Sequence, residues 1–209
     1  LQQVSTLSIC SVIIASFLLV YPQSVLNDVI CLYSCNTLNK RIIELDYESL
    51  NIYLLRHAES PMSPLIDDHS RPLSDTGKED ASTLAKYIDE NQICFDLTLC
   101  STSDRTRETL TIIKDHSTNS FHDINYLDEL YNASNRTILK VIERYNDQSI
   151  LVIGHNPGIS KLISSFAGLT VSNFPPCVFA NFVTNKEDIS SIRPVFIIRP
   201  KNKEVIDLL

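Results

Sequence analysis

Apolar and polar residues follow one another along the chain in blocks of the lengths expected for strands and helices. Two apolar blocks, residues 52–55 and 150–153, have no polar break, which is typical of strands buried on both faces of a sheet packed between helices. Longer segments between such blocks carry apolar residues at helical spacing. The pattern predicts strands near residues 50–55, 95–100, 126–130, 150–153, 178–184 and 195–199, and helices near residues 75–91, 105–115, 135–145 and 157–168.

Capping and turn residues define the ends of several of these elements. Ser74 or Thr76 is the expected N-cap of the first helix, with Glu79 completing a capping box with Thr76. Ser134 is the expected N-cap of the third helix. The last two strands are expected to form a hairpin at a sheet edge, joined by the polar loop 185–193.

Residues 1–48 form an apolar extension outside the predicted folded domain, which we place at residues 49–209. Residues 4–21 are mostly apolar and long enough for a short membrane anchor. Lys40 and Arg41 would then hold the C-terminal side in the cytoplasm. One alternative is an extension that is not a native part of the fold. A cleaved signal peptide fits less well, because no Lys or Arg precedes Lys40.

Charge and cysteine content narrow the classes of function. The formal net charge is −7 and the pI is about 5.2, so no basic stripe is available for a nucleic-acid backbone, and we exclude that partner. The six cysteines are irregularly spaced and form no Cys-x-x-Cys pair, which indicates small buried hydrophobes in a reducing compartment. We therefore expect a cytoplasmic protein, attached to a membrane only if residues 4–21 are an anchor.

Two histidines and two arginines lie at predicted strand ends or at a predicted helix start, which are common places for a bound ligand. Arg56 and His57 directly follow the strand at residues 50–55, and His155 follows the strand at residues 150–153; ligands usually bind at the C-terminal ends of such strands. Arg105 falls in the first turn of a helix, where free N–H groups and the dipole favour an anion.

This set of side chains indicates phosphate chemistry. A guanidinium grips phosphate oxygens, and a neutral imidazole can attack phosphorus. Taken alone, each motif fits a solvated loop or a surface arginine equally well. Together they predict one pocket in which the imidazoles of His57 and His155 face each other across an oxyanion.

Five motifs in order make the chain from about residue 50 to its C-terminus resemble the histidine phosphatase superfamily, and within it the SixA-like phosphohistidine phosphatases. They read LLRHAES, DDHSRPLSDTGKEDA, CSTSDRTRET, LDELYNAS and LVIGHNPGIS. One departure is the Ser-Thr-Ser-Asp turn before Arg105, where the family commonly has Ser-Pro and small residues. The resemblance implies a phosphoglycerate-mutase-like α/β fold, a three-layer sandwich with a mixed, mostly parallel central sheet flanked by helices. It also implies a site at one sheet edge, with no metal and no other cofactor.

The resemblance implies roles for the pocket residues. His57 aligns with the nucleophile that becomes phosphorylated, Arg56, Arg105 and His155 align with the rest of the phosphate pocket, and Arg71 aligns with an arginine beside it. We expect the nearby cations to lower the pKa of His57 and keep it neutral, and His155 to be protonated against bound phosphate and to act as a hydrogen-bond donor.

A general acid is the least defined part of the predicted site. Related phosphomonoesterases use a carboxylate to protonate an alkoxide leaving group, and Glu129, with Asp128 behind it, is the candidate by position. If the substrate is phosphohistidine, the leaving imidazole is less basic than an alkoxide, and the acid is dispensable.

The predicted function is a metal-independent phosphatase acting through phospho-His57. The short gaps between the motifs leave little chain for a substrate-specific cap, so an open site and a phosphohistidine on a protein, such as a phosphotransfer domain, fit best. A phosphatase for small phosphomonoesters stays an alternative. So does a non-catalytic phosphate-binding module, although that class is expected to lack at least one of the pocket residues. Neither the phosphorylated partner nor the oligomeric state can be read from the sequence.

Overall fold

The computed structural model describes residues 49–117, 120–145, 147–171, 173–185 and 188–209, without the side chains of residues 188–190. The predicted N-terminal extension, with its candidate anchor at residues 4–21, lies outside the described residues. Among the helices that are described, none is long and apolar enough to cross a membrane.

Strands and helices alternate from residue 49 to residue 185, and two further strands follow directly. The strands are β1 (Ser49–Arg56), β2 (Phe95–Ser101), β3 (Phe121–Leu127), β4 (Ser149–Gly154), β5 (Phe179–Asn185), β6 (Asp188–Lys201) and β7 (Glu204–Asp207). The helices are α1 (Asp75–Glu90), α2 (Asp104–His116), α3 (Asn135–Ile142) and α4 (Gly158–Ala167), and a 3-10 turn at Asp128–Leu130 follows β3.

These strands form a single mixed sheet in the order β3-β2-β4-β1-β5-β6-β7. The pairs β3–β2, β2–β4 and β4–β1 are parallel, whereas β5, β6 and β7 are added in antiparallel fashion. Because β6 is antiparallel to β5, it runs in the direction of β1. The mixed, mostly parallel sheet is therefore confirmed.

Helices cover both faces of this sheet, because successive strand residues point to opposite sides. In β1, Leu54 belongs to a buried cluster that includes residues of α3 and α4, whereas Leu55 belongs to a second cluster that includes residues of α1 and α2. Val152 and Ile153 of β4 divide between the clusters in the same way. All four side chains are fully buried, and each stabilises the fold by about 2 kcal/mol. The three-layer arrangement is confirmed.

Two predicted loops are in fact strand. β3 begins at Phe121, earlier than predicted. The prediction missed its first residues because His122 and Asp123 are polar and exposed, which hides the alternating pattern of an edge strand. β6 begins at Asp188, so that most of the predicted loop 185–193 belongs to the hairpin of β5 and β6. The hairpin itself is confirmed, but it is not the last part of the sheet.

The sheet ends at β7, a strand that the sequence pattern does not predict. The turn between β6 and β7 contains Asn202 and Lys203, with φ of 53° and 66°. Two-residue hairpin turns of this left-handed kind usually carry a glycine, and this one has none. The usual signal for the hairpin is therefore missing.

The helix starts are partly as predicted. Ser74 is the N-cap of α1, and its hydroxyl accepts from the Gly77 N–H at 3.0 Å. The prediction of a capping box between Thr76 and Glu79 is wrong, since both residues already lie inside the helix. Ser134 caps α3 as predicted, and α3 ends at Ile142 rather than near residue 145.

Candidate active site

The parallel register of β1 and β4 brings the two predicted histidines together. Arg56 pairs with Gly154 across these strands, so His57 and His155 follow at the same level of the sheet. The backbone N–H of His57 donates to the carbonyl of Gly154 at 3.1 Å. The centroids of the two imidazole rings are 5.1 Å apart, close enough to face one oxyanion.

A cavity of about 500 Å³ lies at this edge of the sheet. The predicted site residues that line it are Arg56, His57, Arg71, Arg105 and His155, and the other lining residues are Glu59, Ser60, Met62, Asp68, Asn132, Asn156 and Pro176. Three guanidiniums therefore surround the two imidazoles. In the part of the chain that the structure describes, no three side chains from His, Cys, Asp and Glu cluster in a way that could hold a metal ion.

The His57 imidazole is buried, with 8% of the residue exposed, and is held in one tautomer. Its Nδ1 lies 2.7 Å from the carbonyl oxygen of Ala58. Because a carbonyl can only accept, Nδ1 carries the proton and Nε2 keeps its lone pair. Burial lowers the pKa of His57 to about 4, and the charges of Arg105 and Arg56 also lower it. Nε2 is therefore unprotonated at neutral pH and chemically able to act as a nucleophile.

Thr109 holds the backbone just after His57. Its hydroxyl accepts from the Ala58 N–H at 3.1 Å and donates to the carbonyl of Arg105 at 2.6 Å. The loop after β1 is thereby tied to the first turn of α2. One buried side chain therefore connects the backbone next to His57 with the backbone of Arg105.

His155 is buried more deeply and contacts β2. Its Nε2 lies 2.8 Å from the hydroxyl of Ser101, and its Nδ1 is buried with no hydrogen-bond partner among the described residues. Burial, and then the neighbouring His57, lower the pKa of His155 to about 3. The imidazole is therefore neutral in the free site. A bound phosphate dianion would raise this pKa. The predicted protonation of His155 against phosphate therefore concerns the occupied site and stays a prediction.

Two of the arginines carry buried donors that have no acceptor among the described residues. Arg56 donates through Nη1 to the carbonyl of Phe174 at 2.6 Å, but the buried Nε atoms of Arg56 and Arg105 have no acceptor within the described ranges. An unsatisfied buried donor costs about 1–3 kcal/mol. An oxyanion in the cavity would offer acceptors to these donors and to Nδ1 of His155.

Asp68 holds the guanidiniums of Arg71 and Arg105, although the sequence alone does not single it out. Its Oδ1 accepts from Arg71 Nε at 3.0 Å and from Nη2 at 2.9 Å. Its Oδ2 accepts from Arg105 Nη2 at 3.1 Å and from the Tyr131 hydroxyl at 2.5 Å, and its carbonyl accepts from Arg105 Nη1. The Tyr131 hydrogen bond, and then the arginines, lower the pKa of Asp68 to about 2. The only sequence signal is its place three residues before Arg71.

Glu129, the predicted general acid, is not brought into the cavity. Its carboxylate accepts from Arg144 at 2.5 Å and 2.9 Å on the protein surface. The Arg144 hydrogen bonds lower the pKa of Glu129. Asp128 is not among the lining residues described either. A general acid must reach the leaving group and hold its proton near neutral pH, so the structure gives no support to Glu129 in that role.

Comparison with known proteins identifies the family of the chain. Residues 52–134 match the family model of the histidine phosphatase superfamily (branch 1). An uncharacterized protein of Mycobacterium tuberculosis is 33% identical over 118 residues, which cover 56% of this chain and 72% of the relative.

Solved structures show the same fold. A proposed phosphohistidine phosphatase SixA from Agrobacterium tumefaciens has a TM-score of 0.62 at 29% identity, and the match covers 71% of this chain and 96% of that protein. The protein histidine phosphatase SixA complexed with tungstate has a TM-score of 0.63 at 18% identity, covering 74% of this chain and all of that one. The second likeness bears on the fold alone.

Proposed function

Since the chain belongs to the histidine phosphatase superfamily, in its SixA-like branch, we propose that it is a phosphatase in which His57 is phosphorylated in each turnover. One observation carries the proposal. The unprotonated Nε2 of His57 belongs to a buried imidazole in a cavity lined by three guanidiniums and a second imidazole. A binding module would need the cations but not a nucleophile held in one tautomer.

In the first step, His57 Nε2 attacks the phosphorus atom. The new Nε2–P bond forms as the P–O or P–N bond to the leaving group breaks. Charge on the phosphoryl oxygens is neutralised by Arg56, Arg71 and Arg105, which are already in place. The Nδ1 proton stays on the ring and is stabilised by the carbonyl of Ala58.

In the second step, water attacks the phosphorus of phospho-His57. An O–P bond forms, the Nε2–P bond breaks, and the electron pair returns to the imidazole. Orthophosphate leaves, and the proton released by water passes to phosphate or to solvent. Stabilisation of charge by guanidiniums and imidazole replaces the role that metal ions have in other phosphatases, so we propose a metal-independent reaction.

The favoured substrate is phosphohistidine on a protein. Among the described lining residues, Asp68 and Glu59 are the carboxylates. Asp68 is a poor proton donor with a pKa of about 2, and Glu59 accepts from the hydroxyl of Ser74 at 3.0 Å. An imidazole leaving group needs less help from an acid than an alkoxide does. A cytoplasmic location stays a prediction from the cysteine pattern.

The test compares two substrates in the presence of EDTA: a chemically phosphorylated phosphotransfer protein that carries phosphohistidine, and an aryl phosphate. His57→Ala should abolish turnover of both, while His122→Ala, which changes an exposed histidine of β3, should leave both rates unchanged. Mass spectrometry of the quenched enzyme should find the phosphoryl group on His57. Loss of activity with chelator, activity in His57→Ala, or an adduct elsewhere would contradict the mechanism. Hydrolysis of the aryl ester alone would favour the small-molecule alternative.

A further inference from the structure

Three large apolar side chains are exposed on one short segment beside the cavity. This segment, residues 61–66, is called the rim loop below. Met62 is 83% exposed, Leu65 is 93% exposed and Ile66 is 42% exposed. Single exposed apolar residues are common on protein surfaces, but three within five residues concentrate exposed apolar surface on one segment, as at interaction sites.

The rim loop is attached to the phosphate pocket through Arg71. Arg71 Nη1 donates to the carbonyl oxygens of Ser60 and Pro61, both at 3.0 Å. The same guanidinium is held by Asp68 and lines the cavity. Met62 at the start of the rim loop also lines the cavity, so whatever carries the phosphate must lie next to this loop.

The positions of Leu65 and Ile66 indicate the size of the molecule that contacts them. Neither residue is among those that line the cavity of about 500 Å³. A small phosphomonoester held in the cavity would reach Met62 at most. The other two side chains are available only to a substrate that extends beyond the cavity.

The chemistry of the loop favours a protein over a membrane. Residues 61–66 contain no Lys or Arg, and the chain has a net charge of −7, whereas binding to an anionic lipid surface relies on basic residues. We propose that the rim loop docks an apolar patch next to the phosphorylated side chain of a protein substrate. This inference rests on the proposed function and names the surface by which the substrate is recognised.

Two variants and one matched control test the docking. Leu65→Ser and Ile66→Ser remove exposed apolar contacts, and Leu65 is so exposed that its loss should leave the fold intact. Ile206→Ser is the control, because Ile206 on β7 is also 42% exposed and lies outside the lining residues. For each protein, kcat/KM is measured with the phosphohistidine-bearing phosphotransfer protein and with p-nitrophenyl phosphate.

Docking predicts a loss of about tenfold in kcat/KM on the phosphoprotein for each rim-loop variant, with the aryl ester and the control unchanged. Equal losses on both substrates, or no loss on the phosphoprotein, would overturn the docking and leave the proposed function in place. If the unmodified chain does not hydrolyse the phosphoprotein at all, the phosphoprotein substrate fails and the docking fails with it. Sedimentation that shows a dimer lost in Leu65→Ser would identify a second copy as the occupant and also overturn it.

Discussion

Acidification gives the most direct test of the electrostatics of His57, the proposed nucleophile. An ordinary histidine is largely protonated at pH 5 and cannot attack phosphorus. His57 is buried and surrounded by guanidiniums, which lowers its pKa from 6.5 to about 4. Its neutral form should therefore persist through the mildly acidic range.

The size of the effect follows from the shift. A change from 6.5 to about 4 favours the neutral imidazole by about 3 kcal/mol. At pH 5 about 90% of His57 should be neutral, against about 3% for an unperturbed histidine. The concentration of reactive Nε2 at pH 5 should therefore be about 30 times that of an ordinary imidazole.

An NMR titration of the protein labelled with ¹⁵N in its histidine rings measures this pKa directly. The His57 resonances are assigned by their disappearance in His57→Gln. Their midpoint should lie near pH 4, and the rate of phosphoenzyme formation, measured by rapid quench, should stay nearly level from pH 7 to pH 5 after correction for substrate titration. A midpoint at or above pH 6 would refute the account of the site.

The same shift has a consequence for stability, and its sign can be stated. Because the folded-state pKa of His57 lies below the unfolded value, the unfolded chain binds more protons between about pH 4 and pH 6.5. The stability attached to this residue is therefore complete above pH 6.5 and is lost as the pH falls towards 4. The loss should reach about 3 kcal/mol, seen as a steeper decline in urea midpoint for the unmodified protein than for His57→Gln.

Three further substitutions test other parts of the site. Asp68→Asn removes the negative charge that pairs with two guanidiniums but keeps an acceptor oxygen. Because the guanidiniums are then free to attract an anion, the Ki of orthophosphate should fall about threefold to tenfold. A higher Ki would show that Asp68 only positions the arginines. Glu129→Gln should change kcat/KM for an aryl phosphate by less than about twofold, since the carboxylate is paired with Arg144 on the surface; a tenfold loss would restore it as the acid. Gly158→Ala would place a Cβ 2.1 Å from the carbonyl oxygen of Ala133 and should lower the free energy of unfolding by about 2 kcal/mol or more, and an unchanged urea midpoint would contradict that packing.

The parts of the fold that the sequence predicts well are those fixed by local pattern. The apolar runs that became β1 and β4 have no polar break, and they lie in the centre of the sheet. Because both runs end at the same distance before a histidine, placing His57 beside His155 required only the assumption that the two strands are parallel neighbours. The edge strand β3 and the strand β7 were harder, because half-exposed strands carry polar residues on their open sides.

In the candidate site, the direction of a side chain was harder to predict than the position of its residue along the chain. Glu129 follows β3 at the expected place, but it lies in a 3-10 turn from which its carboxylate reaches Arg144. Asp68 lies in an irregular loop whose spacing gives no side-chain direction, yet its carboxylate contacts two arginines. Chain position therefore predicts which element a residue follows, whereas tertiary contacts decide where its side chain points.

The site therefore has two parts, one placed by the backbone and one placed by side-chain contacts, and the two should respond differently to amino-acid substitutions. The histidines are placed by backbone hydrogen bonds between β1 and β4, which do not depend on surface residues. Arg71 and Arg105 are placed by a side chain, Asp68, in the loop that also carries the exposed apolar patch. Substitution of Asp68 should therefore alter the placement of the two arginines and, through their charges, the pKa of His57. Substitution of Leu65 or Ile66 should alter only the proposed contact with a substrate, and in both cases the carbonyl of Ala58 keeps His57 in one tautomer.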